Sequence, residues 1–142
     1  LSSTGDSNTQ TLAVGATGDV AGSDFDFAAT GDSNALTFTQ GAAATATSGN
    51  TDIVITGTSN TLNITSEVVG ATNSWDIDGD SNTIDTTQTG NADHSITADI
   101  TGSSNNIDID QTNAVGLTSG IVDIIATTTS GIIDIDQCAS GC

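Results

Sequence analysis

The sequence predicts an all-β fold, a parallel β-solenoid of about six coils with two strands per coil and two facing sheets. Three observations predict it. A turn signal recurs along the chain in steps of 26, 26, 22, 23 and 26 residues, counted between Ser7, Ser33, Ser59, Ser81, Ser104 and Ser130. Self-similarity at such a period marks repeat architectures. Each signal opens a run of alternating apolar and polar residues, the period of a strand with one buried face. No segment keeps a helical apolar period over three turns, and the abundant Thr and Ile disfavour helix.

The turn comes first in each repeat. Five of the serines follow a Gly-x pair: Gly5-Asp6, Gly31-Asp32, Gly57-Thr58, Gly79-Asp80 and Gly102-Ser103. The sixth follows Thr128-Thr129. The clearest copy is Gly79-Asp80-Ser81-Asn82-Thr83-Ile84-Asp85-Thr86-Thr87-Gln88-Thr89-Gly90. The whole chain, residues 1–142, reads as one domain with repeats starting near residues 5, 31, 57, 79, 102 and 128.

The first strand of each repeat is expected to begin at the serine. Aligned on it, one face carries Asn8, Asn34, Asn60, Asn82, Asn105 and Gly131. Next come Gln10, Leu36, Leu62, Ile84, Ile107 and Ile133, then Leu12, Phe38, Ile64, Thr86, Ile109 and Ile135. The last column is Val14, Gln40, Ser66, Gln88, Gln111 and Gln137. The opposite face carries Thr11, Thr37, Asn63, Asp85, Asp108 and Asp134, followed by Ala13, Thr39, Thr65, Thr87, Asp110 and Asp136. That division gives an inside and an outside.

A second strand precedes each following turn: Phe25 to Thr30, Asp52 to Thr56, Ser74 to Asp78, Ser95 to Thr101 and Ile121 to Thr127. The inward pairs are Phe27/Ala29, Ile53/Ile55, Trp75/Ile77, Ala98/Ile100 and Ile124/Ala126. Large residues beside small ones suit a thin shared core. Residues 1 to 4 read as the tail of a further second strand. A propeller is the rival architecture, but its blades need about 40 residues and four strands.

Each coil should add about 4.8 Å, so six make a stack on the order of 29 Å tall. Stacked amides can hydrogen-bond to their own kind in the coils above and below. Asn8, Asn34, Asn60, Asn82 and Asn105 are expected to form one such ladder, and Gln88, Gln111 and Gln137 another. The first and last coils then present open strand edges, and no Pro or Lys guards them.

The run Asn82-x5-Gln88-Thr89-Gly90-Asn91-Ala92 resembles the repeat of curlins, the subunits of extracellular curli amyloid. That repeat has Ser, then Gln six residues on, then x-Gly, then Asn-x-Ala and a second Gln. Ser81 to Gln88 is one residue longer, which places Asn82 at the curlin serine, and the second strands carry patterns such as Asp52-Ile53-Val54-Ile55 instead of the closing Gln. The resemblance implies a secreted subunit of a functional amyloid, assembling with copies of itself into a β-sheet fibre for a biofilm matrix or cell surface.

Composition narrows the function further. The 142 residues include no Lys, Arg, Pro or Met, and the net charge is −18. Nothing in this acidic chain can neutralise phosphate, which argues against nucleic acid and anionic membranes as partners. Catalysis needing Lys or Arg is excluded, no nucleophile constellation appears, and the chain is not expected to be an enzyme. No apolar run is long enough to span a membrane. The chain starts at Leu1 rather than Met, and the expectation is an extracellular protein with its export signal removed; a partial sequence is the plainer alternative.

Five candidate sites stand beside this reading. Asp85, Asp108, Asp110, Asp134 and Asp136 would stack at coil spacing, where like charges raise one another's pKa. A solvated acidic face is the favoured interpretation; a surface Ca²⁺ ladder is the alternative, and the Gly-Gly-x-Gly-x-Asp repeat of calcium-binding β-rolls is absent. The Thr columns resemble the arrays of ice-binding β-solenoids but are broken by Ala13, Asn63 and Asp85; ordinary outward strand Thr is the commoner case. Cys138 and Cys142 can close a small disulfide within the chain or, less readily, link subunits. His94 is expected to be exposed near a turn. Asn63-Ile64-Thr65 is a glycosylation sequon on an outward position. The functional expectation is a structural filament subunit, with an ice- or surface-binding solenoid and a repeat segment of an adhesin or phage fibre as alternatives.

Overall fold

The computed structural model describes residues 1–14, 21–40, 47–67, 70, 72–90, 94–113 and 121–139. Twelve strands form two parallel six-stranded sheets. The odd-numbered sheet contains β1 (Ser2–Thr4), β3 (Ala21–Thr30), β5 (Thr47–Thr56), β7 (Thr72–Asp78), β9 (Ser95–Ser103) and β11 (Ile121–Thr129), stacked in that order. The even-numbered sheet contains β2 (Thr9–Val14), β4 (Ala35–Gln40), β6 (Thr61–Ser66), β8 (Thr83–Gly90), β10 (Asn106–Asn113) and β12 (Ile132–Ala139), also in chain order. Consecutive strands of the chain alternate between sheets, which is the path of a β-solenoid.

Every pairing is in register with the repeat. Leu36 lies beside Leu62, Leu62 beside Ile84, Ile84 beside Ile107 and Ile107 beside Ile133. In the other sheet Ile53, Trp75, Ala98 and Ile124 form one column, so the largest side chain is followed by a methyl group. Phe27, Phe38, Leu62, Ile64, Trp75, Ile77, Ile84, Ile100, Ile107 and Ile109 are buried between the sheets. The Phe38 ring sits 5.1 Å from that of Phe25 and 5.0 Å from that of Phe27, tilted against both.

Two boundaries differ from expectation. The even-numbered strands begin two residues after the serine, at Thr9, Ala35, Thr61, Thr83, Asn106 and Ile132. The serines themselves are corners: Ser7, Ser33, Ser59, Ser81, Ser104 and Ser130 have φ of 58–61°, in the left-handed region. The odd-numbered strands β3, β5 and β7 start earlier than expected, at Ala21, Thr47 and Thr72. Backbone pairing to the neighbouring coil extends them through Gly-, Ser- and Thr-rich segments that show no apolar alternation. The extension completes a further inward column, in which Thr51 and Asn73 join Phe25, Ile96 and Val122.

The turn glycines are fixed for two reasons. Gly31, Gly57, Gly79 and Gly102 have φ between 118° and 148°. A Cβ on Gly79 would also fall 1.8 Å from the carbonyl oxygen of Gly57 in the preceding coil, whereas one on Gly5 would meet nothing closer than Asn8 Nδ2 at 3.7 Å. Both positions carry the backbone strain of a non-glycine residue at positive φ, about 1–3 kcal/mol. Only Gly79 adds a backbone clash. Gly79→Ala should therefore lower the thermal unfolding midpoint well below that of Gly5→Ala, measured by circular dichroism.

Candidate assembly surfaces: the axial ladders and the open ends

Three sets of hydrogen bonds tie the coils together beside the sheet pairings. The first runs through the corner asparagines. The backbone N–H of Asn8 donates to Asn34 Oδ1 at 3.0 Å, and Asn34, Asn60 and Asn82 donate likewise to Asn60, Asn82 and Asn105 at 2.9 Å. Asn82 Nδ2 and Asn105 Nδ2 reach back to the carbonyls of Gly57 and Gly79 in the preceding coil. The left-handed serine aims the asparagine into the corner, and the absent glycine Cβ leaves room for the contact.

The second set is the glutamine ladder. Gln111 Nε2 donates to Gln88 Oε1 at 2.7 Å, and Gln137 Nε2 donates to Gln111 Oε1 at 2.8 Å. The column is interrupted at Val14 and Ser66. Gln40 Nε2 and Gln88 Nε2, whose preceding neighbours are those two residues, have no hydrogen-bond partner. The third set lies on the turn. Asp6, Asp32 and Asp80 accept from the backbone N–H of Asp32, Thr58 and Ser103 in the next coil.

The last coil changes its corner. Thr128 replaces the turn glycine and Gly131 the asparagine. A Cβ on Gly131 would lie 2.8 Å from Thr128 Oγ1, so the threonine side chain closes the space that asparagine fills elsewhere. The two replacements belong together.

Among the described residues, no further strand covers either end of the stack. At the C-terminal end Ile133 is 38% and Ile135 41% exposed, although Ile107 and Ile109, one strand inward, are 1% and 0% exposed. Ile121, Ile125 and Ile132 are exposed at the same end. At the N-terminal end Gln10, Leu12 and Val14 of β2 are half-buried. Ile124 is half-buried and Ala126 exposed, because their column ends with them.

The outer face of the even-numbered sheet changes character along the axis. Thr11, Thr37 and Asn63 give way to Asp85, Asp108 and Asp134, and Thr39, Thr65 and Thr87 to Asp110 and Asp136. The Asp108 carboxyl is pushed above its ordinary range, first by desolvation and then by the negative charges of Asp110, Asp85, Asp134 and Asp136. The opposite holds at the turn, where the backbone N–H and then the hydroxyl of Ser103 hold Asp80 below that range. No group of three or more His, Cys, Asp or Glu side chains among the described residues is arranged to hold a metal ion.

His94 departs from expectation: it is fully buried, and its carbonyl accepts from the Ile121 N–H in the next coil. Cys138 is disulfide-bonded. The other cysteine of the chain, Cys142, lies outside the described residues, as do Asn91 and Ala92 of the curlin-like motif. Asn63 is exposed. The buried Thr51 and Asn73 were not among the expected inward residues. No helix among the described residues is long and apolar enough to cross a membrane. No family model matches the chain, and neither a curated protein nor a solved structure matches it significantly.

The two aspartates give opposite pH dependences. A carboxyl raised in the folded state costs stability above its folded pKa, and that cost disappears as pH falls to the ordinary carboxylate range. A lowered one contributes stability above the ordinary range that is lost as pH falls through its folded pKa. Asp108→Asn should therefore raise the denaturant midpoint at neutral pH, and Asp80→Ala should lower it. Both differences should shrink in acid.

Proposed function

We propose that this chain is the structural subunit of an extracellular filament of the biofilm-matrix type, self-assembling by head-to-tail stacking of its solenoid ends. The observation that carries the proposal is the exposed terminal pair Ile133 and Ile135, whose counterparts one strand inward are sealed. Parallel edge strands at both ends keep unpaired backbone donors and acceptors, and an exposed sheet edge is a template for adding another strand. A copy laid on the end continues a pattern that the chain already repeats internally. The curlin-like motif supports the same reading and supplies its extracellular setting.

The acidic outer face fits a fibre component. Repulsion between carboxylate columns opposes side-by-side bundling while leaving the axial ends free. The Thr columns of β2, β4 and β6 are the feature that an ice-binding solenoid would use, but Asp85, Asp108 and Asp134 occupy the second half of the same column.

Negative-stain electron microscopy of the purified chain, incubated at neutral pH, tests the proposal. Long, uniform, thin filaments are expected, and dispersed small particles would contradict it. Replacing Ile133 and Ile135 together with Asp should abolish elongation while the circular dichroism spectrum of the subunit stays that of β-sheet.

A further inference from the structure

The C-terminal end presents a difficulty for ordered growth. Its exposed Ile132, Ile133 and Ile135 make it the more apolar of the two ends. Apolar burial alone would favour pairing two C-terminal ends with each other, which makes a closed dimer and stops growth. Resting on the filament reading, we infer that the carboxylates of Asp134 and Asp136 forbid that pairing and so fix the polarity of assembly, leaving the C-terminal end open only to the N-terminal end of a second copy.

The argument follows from strand geometry. In a joint between two copies of β12, side chains that keep Ile133 and Ile135 inside must place the outward residues of the two strands opposite each other. Those outward residues are Ile132, Asp134, Asp136 and Cys138, so carboxylate meets carboxylate in any register centred on Asp134 or Ile135. Side chains directly opposite on paired strands are about 4.5–5.5 Å apart, and like charges there are destabilising. Asp108 and Asp110 on β10 lie beside Asp134 and Asp136 and add charge from below.

The N-terminal end offers the opposite surface. If β2 of an incoming copy lies on β12 as β12 lies on β10, Gln10 covers Ile133, Leu12 covers Ile135, Thr11 follows Asp134 and Ala13 follows Asp136. No charge is opposed, and Thr11 brings a hydroxyl that can donate to a carboxylate. The corner ladder is complementary as well. In each interior coil, Asn Oδ1 accepts from the backbone N–H of the preceding corner residue. Asn8 is the first of the series, and Gly131 is the last corner residue. In this joint the Gly131 N–H of one copy donates to Asn8 Oδ1 of the next. An assembly that begins by joining two N-terminal ends exposes two C-terminal ends, which then accept only N-terminal ends, so one filament holds at most one reversed joint.

Cryo-electron microscopy of filaments from the unmodified chain and from the Asp134→Asn/Asp136→Asn variant tests the inference. Both aspartates are exposed and outward, and circular dichroism checks that the variant keeps its fold. The unmodified chain should give polar filaments in the register above. The variant should yield C-terminal-end pairs, seen as closed dimers or as reversals within filaments. Paired C-terminal ends in the unmodified filaments would overturn the inference while leaving filament assembly intact. So would a variant whose joints stay uniformly polar. Absence of any assembly by the unmodified chain would overturn the filament reading itself.

Discussion

Hydrogen bonds that run along the stacking axis, from a residue to its counterpart in the next coil, are what this structure depends on. The space between the two sheets admits one layer of side chains from each, so a coil alone cannot bury enough apolar surface to hold itself. Register is the consequence. A slip of one residue would turn the inward isoleucines outward and the outward aspartates of the strands inward. A slip of two residues would keep each side chain on its own face but bring glycine corners against residues with a Cβ. The clash of a Cβ at Gly79 with the Gly57 carbonyl shows how closely the turns approach. Asparagine Oδ1 and glutamine Oε1 accept only from the neighbour at the same level, so the amides specify the alignment that the apolar columns merely favour.

Much of this is legible in the sequence because one repeat predicts the next. The inward columns from Asn34 to Asn105 and from Leu36 to Ile133 follow from period two and a fixed turn. The substitutions within columns are legible too: Ala98 next to Trp75 is a size compensation readable without coordinates. Other features left no such trace. A serine at positive φ is unusual for a residue with a side chain, and nothing beside Ser81 announces it as a corner rather than a strand start. The upstream halves of β3 and β5 are strands because of what lies beside them, not because of their own composition. His94 is a single residue with no counterpart in other repeats, so its burial came from tertiary placement. The coupled exchange of Thr128 and Gly131 was visible as two irregularities, and only the geometry joins them.

The same repetition that makes the fold economical leaves its ends unfinished. Backbone donors at the interior corners and turns find Asn and Asp oxygens one coil away, whereas the terminal coils lack a neighbour on one side. The even-numbered sheet meets this unevenly, with neutral threonines toward one end and aspartates toward the other. Charge thus varies along an axis on which the backbone pattern does not, and it opposes the like-with-like pairing of ends that apolar burial alone would favour. The cost is the desolvation, and after it the repulsion between neighbouring carboxylates, that raises the Asp108 carboxyl above its ordinary range.

The central claim is that the terminal strands are open in the single chain and become interior strands in the assembly. Hydrogen–deuterium exchange followed by mass spectrometry, on the dispersed chain and after assembly, tests it most directly. The account predicts slow exchange in β6, β8 and β10 in both samples. It also predicts fast exchange in residues 9–14 and 132–139 of the dispersed chain that becomes slow, at both ends together, on assembly. Terminal strands that exchange equally fast in both samples would contradict it.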